Sequence, residues 1–321
     1  VAEQHGVPDV GGWFRTAHVG RDVAGGKAWG APEDSSFGRE SSHAEVAEAA
    51  AALHGLRTMV LTGAGTSTAS GLADYRGPGA IPRSPMTYQE FVSSDIARRH
   101  YWARSTVGWP SFRVAQPNRV HHLVADLATV LPVTGVVTQN VDGLHQAAGS
   151  NPVLDLHGRL ATVSCLTCGT VIDREALQAT LLELNPEFAS RLDYLARQAA
   201  GLPDGDAEVD RTEEFIYPDC PVCRGVLKPD VVYFGENADP AVVNASFDML
   251  ERSDALLVLG TSLSVMSGLR FVRRAARDSK RVIIVNDGTT RGDDLATHRI
   301  HGRLESVLEE FVGSLSNLPH P

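Results

Sequence analysis

Cys165, Cys168, Cys220 and Cys223 are all the cysteines of the chain, and they form two C-x-x-C pairs. Thiolates at this spacing are the usual donor set of a structural zinc site. Four sulfurs complete a tetrahedral shell and leave no open position, so the metal braces a lobe and does not catalyse. The same residues can also form two disulfides or two redox dithiols. The start of the chain lacks the basic-then-apolar pattern of a secretory signal, which favours the metal. The stretch between the pairs exceeds the usual ribbon spacing. It is read as an insertion with a helical segment over 173–200 and an acidic loop over 204–214.

A second set of residues points to nucleotide chemistry. Gly63-Ala64-Gly65-Thr66 follows an apolar run over 58–62 and continues through Ser70 and Gly71 to Ala73-Asp74-Tyr75-Arg76. Glycines at a strand's end let backbone approach a phosphate, and the helix expected to follow aims free N–H groups at that anion. The third glycine is too distant for G-x-G-x-x-G, and no acid ends a second strand to hold a ribose. Hydride transfer is therefore disfavoured. The charged end of the stretch, Asp74 and Arg76, implies chemistry on the bound nucleotide.

Other strand ends supply polar groups. Gln139-Asn140-Val141-Asp142 follows the run 133–138, and His157 ends the run 153–156. Gly260-Thr261-Ser262 follows 255–259, and Asn286-Asp287-Gly288 follows 282–285. Polar strand ends that converge on one crevice are how an open α/β sheet builds a site. Taken singly they mean little, because Asn140 and Asp142 also suit a helix cap and His157 a structural histidine.

The runs that carry these groups are apolar enough to be parallel strands buried on both faces. Helices expected over 44–56, 118–130 (with Asn118 as cap) and 269–277 alternate with them, as crossovers require. The fold class is α/β: a doubly wound, mostly parallel, Rossmann-like sheet, with a smaller zinc-binding domain and a helical cofactor-loop module. The expected divisions are a loosely ordered arm over 1–42, a Rossmann-like domain over 43–162 and 228–316 with the module inserted at 78–116, a small domain over 163–227, and a tail over 317–321.

Lys plus Arg is 29 against 39 Asp plus Glu, a net charge of -10. That balance disfavours non-specific nucleic-acid binding. It serves solubility and also suits encounters with basic peptides. No run approaches the roughly 20 apolar residues of a membrane helix. A cytoplasmic, bacterial protein is expected; lysine is confined to Lys27, Lys228 and Lys280 while arginine and alanine abound, as a GC-rich genome would produce.

In their order, the segments G-A-G-T-S-T-A-S-G-L-A-D-Y-R-G, T-Q-N-V-D-G-L-H, L-H-G, the two C-x-x-C pairs, L-K-P-D-V-V-Y-F-G-E, G-T-S-L and V-N resemble the sirtuin family over about residues 45–315. Finer features (Y-W-A-R-S-T-V-G-W-P, G-L-P-D-G-D, T-T-R-G-D-D-L) look like its class II lineage, which includes mitochondrial sirtuin four and bacterial relatives. The resemblance implies an NAD-dependent protein-lysine deacylase, a transferase-type enzyme that yields nicotinamide and O-acyl-ADP-ribose. It implies NAD as co-substrate, one structural zinc, acyl-lysine proteins or peptides as partners, and a monomer. Residues 63–76 (Gly63, Ala64, Gly65, Thr66, Ser70, Ala73, Asp74, Tyr75 and Arg76) would wrap the pyrophosphate and nicotinamide ribose. Gln139, Asn140, Val141 and Asp142 would line the nicotinamide pocket, and His157 would be the general base, with Asn140, Asp142 and Arg76 assisting.

The same resemblance gives Gly260, Thr261, Ser262, Asn286, Asp287, Gly288 and Leu304 the adenosine half. Val231, Val232, Tyr233, Phe234, Gly235 and Glu236 would pair with the substrate peptide as an added strand. Tyr101 and Arg104 share the Tyr-x-x-Arg spacing of sirtuins that remove acidic acyl groups; the other reading is a helix with one inward tyrosine and one solvated arginine. The chain departs from the family at Ala73, where proline usually stands, and the loss of a fixed φ is expected to weaken NAD affinity. Mono-ADP-ribosyl transfer from the same site is the neighbouring reading, and a non-catalytic NAD sensor or scaffold is a third.

Overall fold

Five residues in a row, Thr58 to Thr62, have no exposed surface, and this strand lies at the middle of the main sheet. The structure is a computed structural model and describes residues 39–74, 85–198, 209 and 212–318. The arm up to residue 38, the loop over 75–84 and most of the acidic loop lie outside the described residues.

The described strands are β1 (Thr58–Thr62), β2 (Val133–Thr138), β3 (Val153–Asp155), β4 (Gly158–Cys165), β5 (Val171–Asp173), β6 (Leu227–Val231), β7 (Ala255–Leu259), β8 (Arg281–Asn286) and β9 (His298–His301). The main sheet has the order β3-β2-β1-β7-β8-β9, with every pairing parallel. The chain grows outward from β1 on one side and from β7 on the other, so the topological switch lies between those two strands. Ligand crevices form at such a switch, beyond the carboxyl ends of the strands.

The described helices are α1 (His43–Ala51), α2 (Tyr88–Ser93), α3 (Asp95–Arg113), α4 (Arg119–Val130), α5 (Leu144–Ala147), α6 (Arg174–Leu184), α7 (Pro186–Ala189), α8 (Leu192–Gln198), α9 (Pro240–Glu251), α10 (Met266–Arg277) and α11 (Leu304–Ser316). Alternation along the strands divides the core into two layers. Val60, Val136, Leu257 and Ile283 pack under α1, α4 and α11 on one face. Met59, Leu61, Val258 and Ile284 pack under α9 and α10 on the other. Each fully buried aliphatic side chain contributes about 1.5–3 kcal/mol, so two covered faces hold the sheet firmly enough to present its loops.

The second sheet is antiparallel with the order β5-β4-β6. It draws β4 from Gly158 and β6 through Val231, so it reaches outside 163–227 at both ends. Its core is shared with the helical module, since Val163, Leu177 and Tyr233 pack with Phe91, Tyr101 and Trp102. Among the described residues no helix is long and apolar enough to cross a membrane.

Several expectations are corrected. Among the described residues two 3-10 turns, Ala64–Thr66 and Thr68–Ser70, stand directly after the glycines in place of the expected helix. Thr66 Oγ1 donates to the Gly63 carbonyl (2.8 Å) and Thr68 Oγ1 to that of Gly65 (3.2 Å), so hydroxyls compete for the carbonyls a helix would use. The helix expected over 44–56 ends at Ala51 and gives way to turns. The segment over 173–200 is broken into α6, α7 and α8, with Pro186 opening a new helix where its missing N–H costs nothing. Strand β9 and helix α11 complete the sheet beyond the last strand that apolar runs revealed.

Candidate active site

The loops after β1 and β7 touch. Gly63 N–H donates to the Leu259 carbonyl (3.1 Å) and Gly65 N–H to that of Gly260 (3.0 Å). A Cβ on Gly63 would stand 2.6 Å from the Thr261 Cβ, so side chains at Gly63 are excluded by the neighbouring strand end itself. Glycine here serves loop-to-loop packing at the switch point, and Gly65, Gly260 and Thr261 are drawn into the same place. Thr261 Oγ1 accepts from Gln139 Nε2 (3.1 Å), which adds the end of β2 to the cluster.

Asn140 is buried, and its Nδ2 donates toward Gly63 O (3.2 Å), Thr66 Oγ1 (3.1 Å) and Ser67 Oγ (2.9 Å). Ser67 Oγ donates to Asp142 Oδ2 (2.6 Å), while Asp142 Oδ1 accepts from the N–H of Leu144 (2.9 Å), the first residue of α5. Asp142 thus holds its own turn and also anchors the glycine loop. The polarity continues to His121: its Nδ1 accepts from Asn118 N–H (3.2 Å), which leaves Nε2–H to donate to Ser67 Oγ (3.3 Å). Its ring meets that of His145 with centroids 4.8 Å apart, and His145 Nε2 bonds Thr62 Oγ1 (2.9 Å). Burial pushes the imidazoles down, His121 to about 4 and His145 to about 3, so both are neutral.

His157 sits where the two sheets meet. The next residue, Gly158, has φ +78, and a Cβ there would lie 1.8 Å from the Asp230 carbonyl, so only glycine allows the chain to turn from β3 into β4 here. His157 Nδ1 is 2.9 Å from the Gln139 carbonyl, which can only accept, so Nδ1 carries the proton. Nε2 is then the acceptor, and Ser267 Oγ donates to it at 2.7 Å. Burial lowers the ring to about 4, against the favourable Gln139 contact, and the charge of Arg270 lowers it further.

The remaining positions follow the strand ends. Ser70 Oγ accepts from Asn118 Nδ2 (2.9 Å). Ser262 Oγ bonds Ser264 Oγ (2.9 Å), and Asn286 Nδ2 donates to the Gly288 carbonyl (3.0 Å) in the turn that carries Asp287. Leu304, at the start of α11, packs against Gly260: a Cβ there would meet its Cδ1 at 2.7 Å. Ala64, Ala73 and Asp74 are partly exposed on the loop, and Val141 O accepts from Leu160 N–H (3.0 Å). Tyr75 and Arg76 lie outside the described residues.

The segment 231–236 is partly committed within the chain. Val232 N–H donates to the His157 carbonyl (2.8 Å), and the Phe234 carbonyl accepts from Tyr88 N–H (2.9 Å). Glu236 pairs with Lys228 (3.0 Å) and accepts from Tyr233 N–H (2.8 Å), which shapes the turn around Gly235. Tyr101 points inward, edge-on to Tyr233 with centroids 5.5 Å apart, and Arg104 is half-buried with Nη1 3.3 Å from His100 Nε2.

The four sulfurs lie within 4.8 Å of one another, with Cys165–Cys223 at 3.4 Å and Cys168–Cys220 at 3.7 Å. No pair is at bonding distance, so the disulfide arrangement is absent. Four thiolates about 2.3 Å from a tetrahedral zinc stand about 3.8 Å apart, so the donor set fits one zinc ion. The knuckles also pack on each other: a Cβ on Gly225 would meet Thr167 Oγ1 at 2.4 Å.

Sequence reasoning passed over Ser67, His121, His145 and Ser267. Ser67 lies within the glycine stretch it singled out, and His145 ends the T-Q-N-V-D-G-L-H segment. Ser267 lies in the first turn of the arginine-rich helix α10, a position with no local signal of its own.

Residues 63–267 match the Sir2 family. The chain is 48% identical over 276 residues to the NAD-dependent protein deacetylase 1 of Mycobacterium avium, covering 86% of this chain and 98% of that protein. It is 50% identical over 261 residues to the NAD-dependent protein deacetylase 1 of Streptomyces coelicolor, covering 80% and 85%. A solved structure of Sir2 with a p53 peptide and NAD+ superposes with a TM-score of 0.65 at 26% identity, covering 85% of this chain and 98% of that one. With the family model matched over residues 63–267 and these relatives covered over most of their length, the chain belongs to the Sir2 family.

Proposed function

We propose that this protein is an NAD-dependent protein-lysine deacylase, an acyl-transferring enzyme acting on acyl-lysine proteins or peptides. The observation that carries this reading is the convergence of strand ends: His157 bonds the Gln139 carbonyl after β2, and the next residue, Asn140, reaches the glycine loop after β1, where Ser67 also holds Asp142. The donor set also fits a dinucleotide: glycines where a Cβ would clash, with small hydroxyls and amides at the strand ends. Residues 63–74 would hold the pyrophosphate side, Thr261, Ser262, Asn286 and Leu304 the adenosine side, and Gln139, Asn140 and Asp142 the nicotinamide side.

When bound, NAD supplies an electrophilic ribose carbon with nicotinamide as leaving group, and accepts the acyl group. Asn140 is held by three acceptors of the glycine loop, so its dipole is fixed in advance and would serve the nicotinamide side without reorganising. His157 Nε2 would be the atom that accepts a proton from a ribose hydroxyl, with Nδ1–H held on the Gln139 carbonyl. The 231–236 segment, with Phe234 41% exposed within it, would receive the peptide as an extended strand.

The test uses labelled NAD and an acyl-lysine peptide. Nicotinamide release with free lysine as product supports deacylation, and label on protein would shift the assignment to ADP-ribosyl transfer. Neither outcome would leave an NAD sensor. In the His157→Ala variant, lysine release should fall by about 10²–10⁴-fold, the usual value of a general base.

A further inference from the structure

Two bonds hold the ring of His157, and they have opposite polarity. The Gln139 carbonyl accepts from Nδ1–H at 2.9 Å, and the Ser267 hydroxyl donates to Nε2 at 2.7 Å. Gln139 is itself tied down, with its N–H and Nε2 on the Thr62 carbonyl at 3.0 and 3.1 Å. Ser267 sits in the first turn of α10, and its own carbonyl accepts from Arg270 Nε (3.1 Å). The ring therefore bridges the end of β2 and the start of α10. The charge that bears on it is that of Arg270, on the same helix, whose guanidinium lies 5.5 Å from the Phe271 ring and 5.8 Å from the Phe247 ring.

We propose that Ser267 is a positioning residue for His157: its hydroxyl fixes the ring and keeps Nε2 an unprotonated acceptor until a substrate hydroxyl takes its place. The inference rests on the reading of His157 as the base. A hydroxyl that donates to Nε2 stabilises the neutral imidazole and opposes the imidazolium, which has no lone pair to accept it. The same bond occupies the one nitrogen able to take a proton, so a productive substrate hydroxyl must displace Ser267. In the step served, one proton passes from that hydroxyl to Nε2, the imidazole becomes imidazolium, and Nδ1–H does not move.

The experiment begins with the ligand-free protein. Nitrogen and proton NMR of His157 reports which ring nitrogen carries the proton and the pH at which the second proton arrives. In the parent protein Nδ1 should be protonated and Nε2 bare. In Ser267→Ala the ring should take its second proton roughly half to one pH unit higher, the shift expected from one lost hydrogen bond. Ser267→Thr keeps the hydroxyl and should restore the parent titration.

With NAD and peptide, lysine release in Ser267→Ala should fall roughly 3- to 10-fold. KM for NAD and exchange of free nicotinamide into NAD should stay unchanged, because neither needs the base. An Ser267→Ala protein with the parent titration, and an unchanged ratio of lysine release to exchange, overturns the proposal. Full lysine release in His157→Ala overturns the base reading instead, and the ligand-free titration of Ser267→Ala still decides the contact.

Discussion

Ser67 Oγ donates to Asp142 Oδ2 at 2.6 Å while accepting from Asn140 Nδ2 at 2.9 Å, so one hydroxyl ties the loop after β1 to both polar groups after β2. With His121 Nε2–H as a second donor, its bonding capacity is filled. Replacing it leaves a carboxylate, an amide and an imidazole short of a partner. Ser67→Ala should lower stability by about 1–3 kcal/mol and slow nicotinamide release. Urea unfolding and a nicotinamide assay check both; an unchanged midpoint would show the network to be slack.

Acid should unfold the protein through its buried histidines. His121 and His145 are fully or almost fully buried and titrate near 4 and 3, below the 6.5 of free imidazole, because burial disfavours the cation. The unfolded chain binds these protons first. The stability they confer is therefore complete above about 6.5 and is lost as pH falls toward the folded values, by about 1.4 kcal/mol per pH unit for each group. His157 titrates near 4 in the folded protein, so at pH 5 to 6 the base remains ready. Activity lost in that window should follow the urea midpoint and not the protonation of His157.

Ala73 lies just before the undescribed part of the cofactor loop. Proline there removes conformations available to the loop before ligand binds, a gain of about 0.4–1 kcal/mol where the backbone permits it. Ala73→Pro should tighten NAD binding a few-fold by calorimetry. An unchanged Kd would show that this position does not control the loop.

The four thiolates should hold one zinc per chain. Its removal by chelation, or Cys220→Ser, should loosen β4, β5 and β6 and lower the melting temperature, since the knuckles cross-brace that sheet. Metal analysis and thermal scans measure this. Added zinc should restore the chelated protein; a chain that melts identically without metal would contradict a bracing role.

Arg104 is half-buried beside His100, and its neighbour Tyr101 packs on Tyr233. If the pair reads a carboxylate, Arg104→Ala should cost succinyl- and glutaryl-lysine peptides about tenfold or more in kcat/KM and spare acetyl-lysine. Turnover of the three peptides by both proteins decides it, and an unchanged ranking removes Arg104 from acyl choice.

The sheet was legible because a strand buried on both faces is an unbroken apolar run: β1, β2 and β7 have the bounds that their runs predict. Short edge strand β9, with two histidines and an arginine in four residues, has no such signature. The turns after Gly63 escaped notice because threonine hydroxyls, and not propensity, displaced the expected helix. The cysteines were readable from spacing alone, but only their sulfur separations distinguish a metal site from disulfides.

By itself the sequence determined which residue types stand at the strand ends, since apolar runs and motif order are local properties of the chain. Tertiary structure decided which of them meet. Ser67 reaches Asp142 across 75 positions, and Ser267 reaches His157 across 110. Such contacts arise only when a parallel sheet brings distant strand ends to one edge. The proton on His157 Nδ1 is likewise a tertiary fact, because it depends on a carbonyl and a hydroxyl that different loops supply.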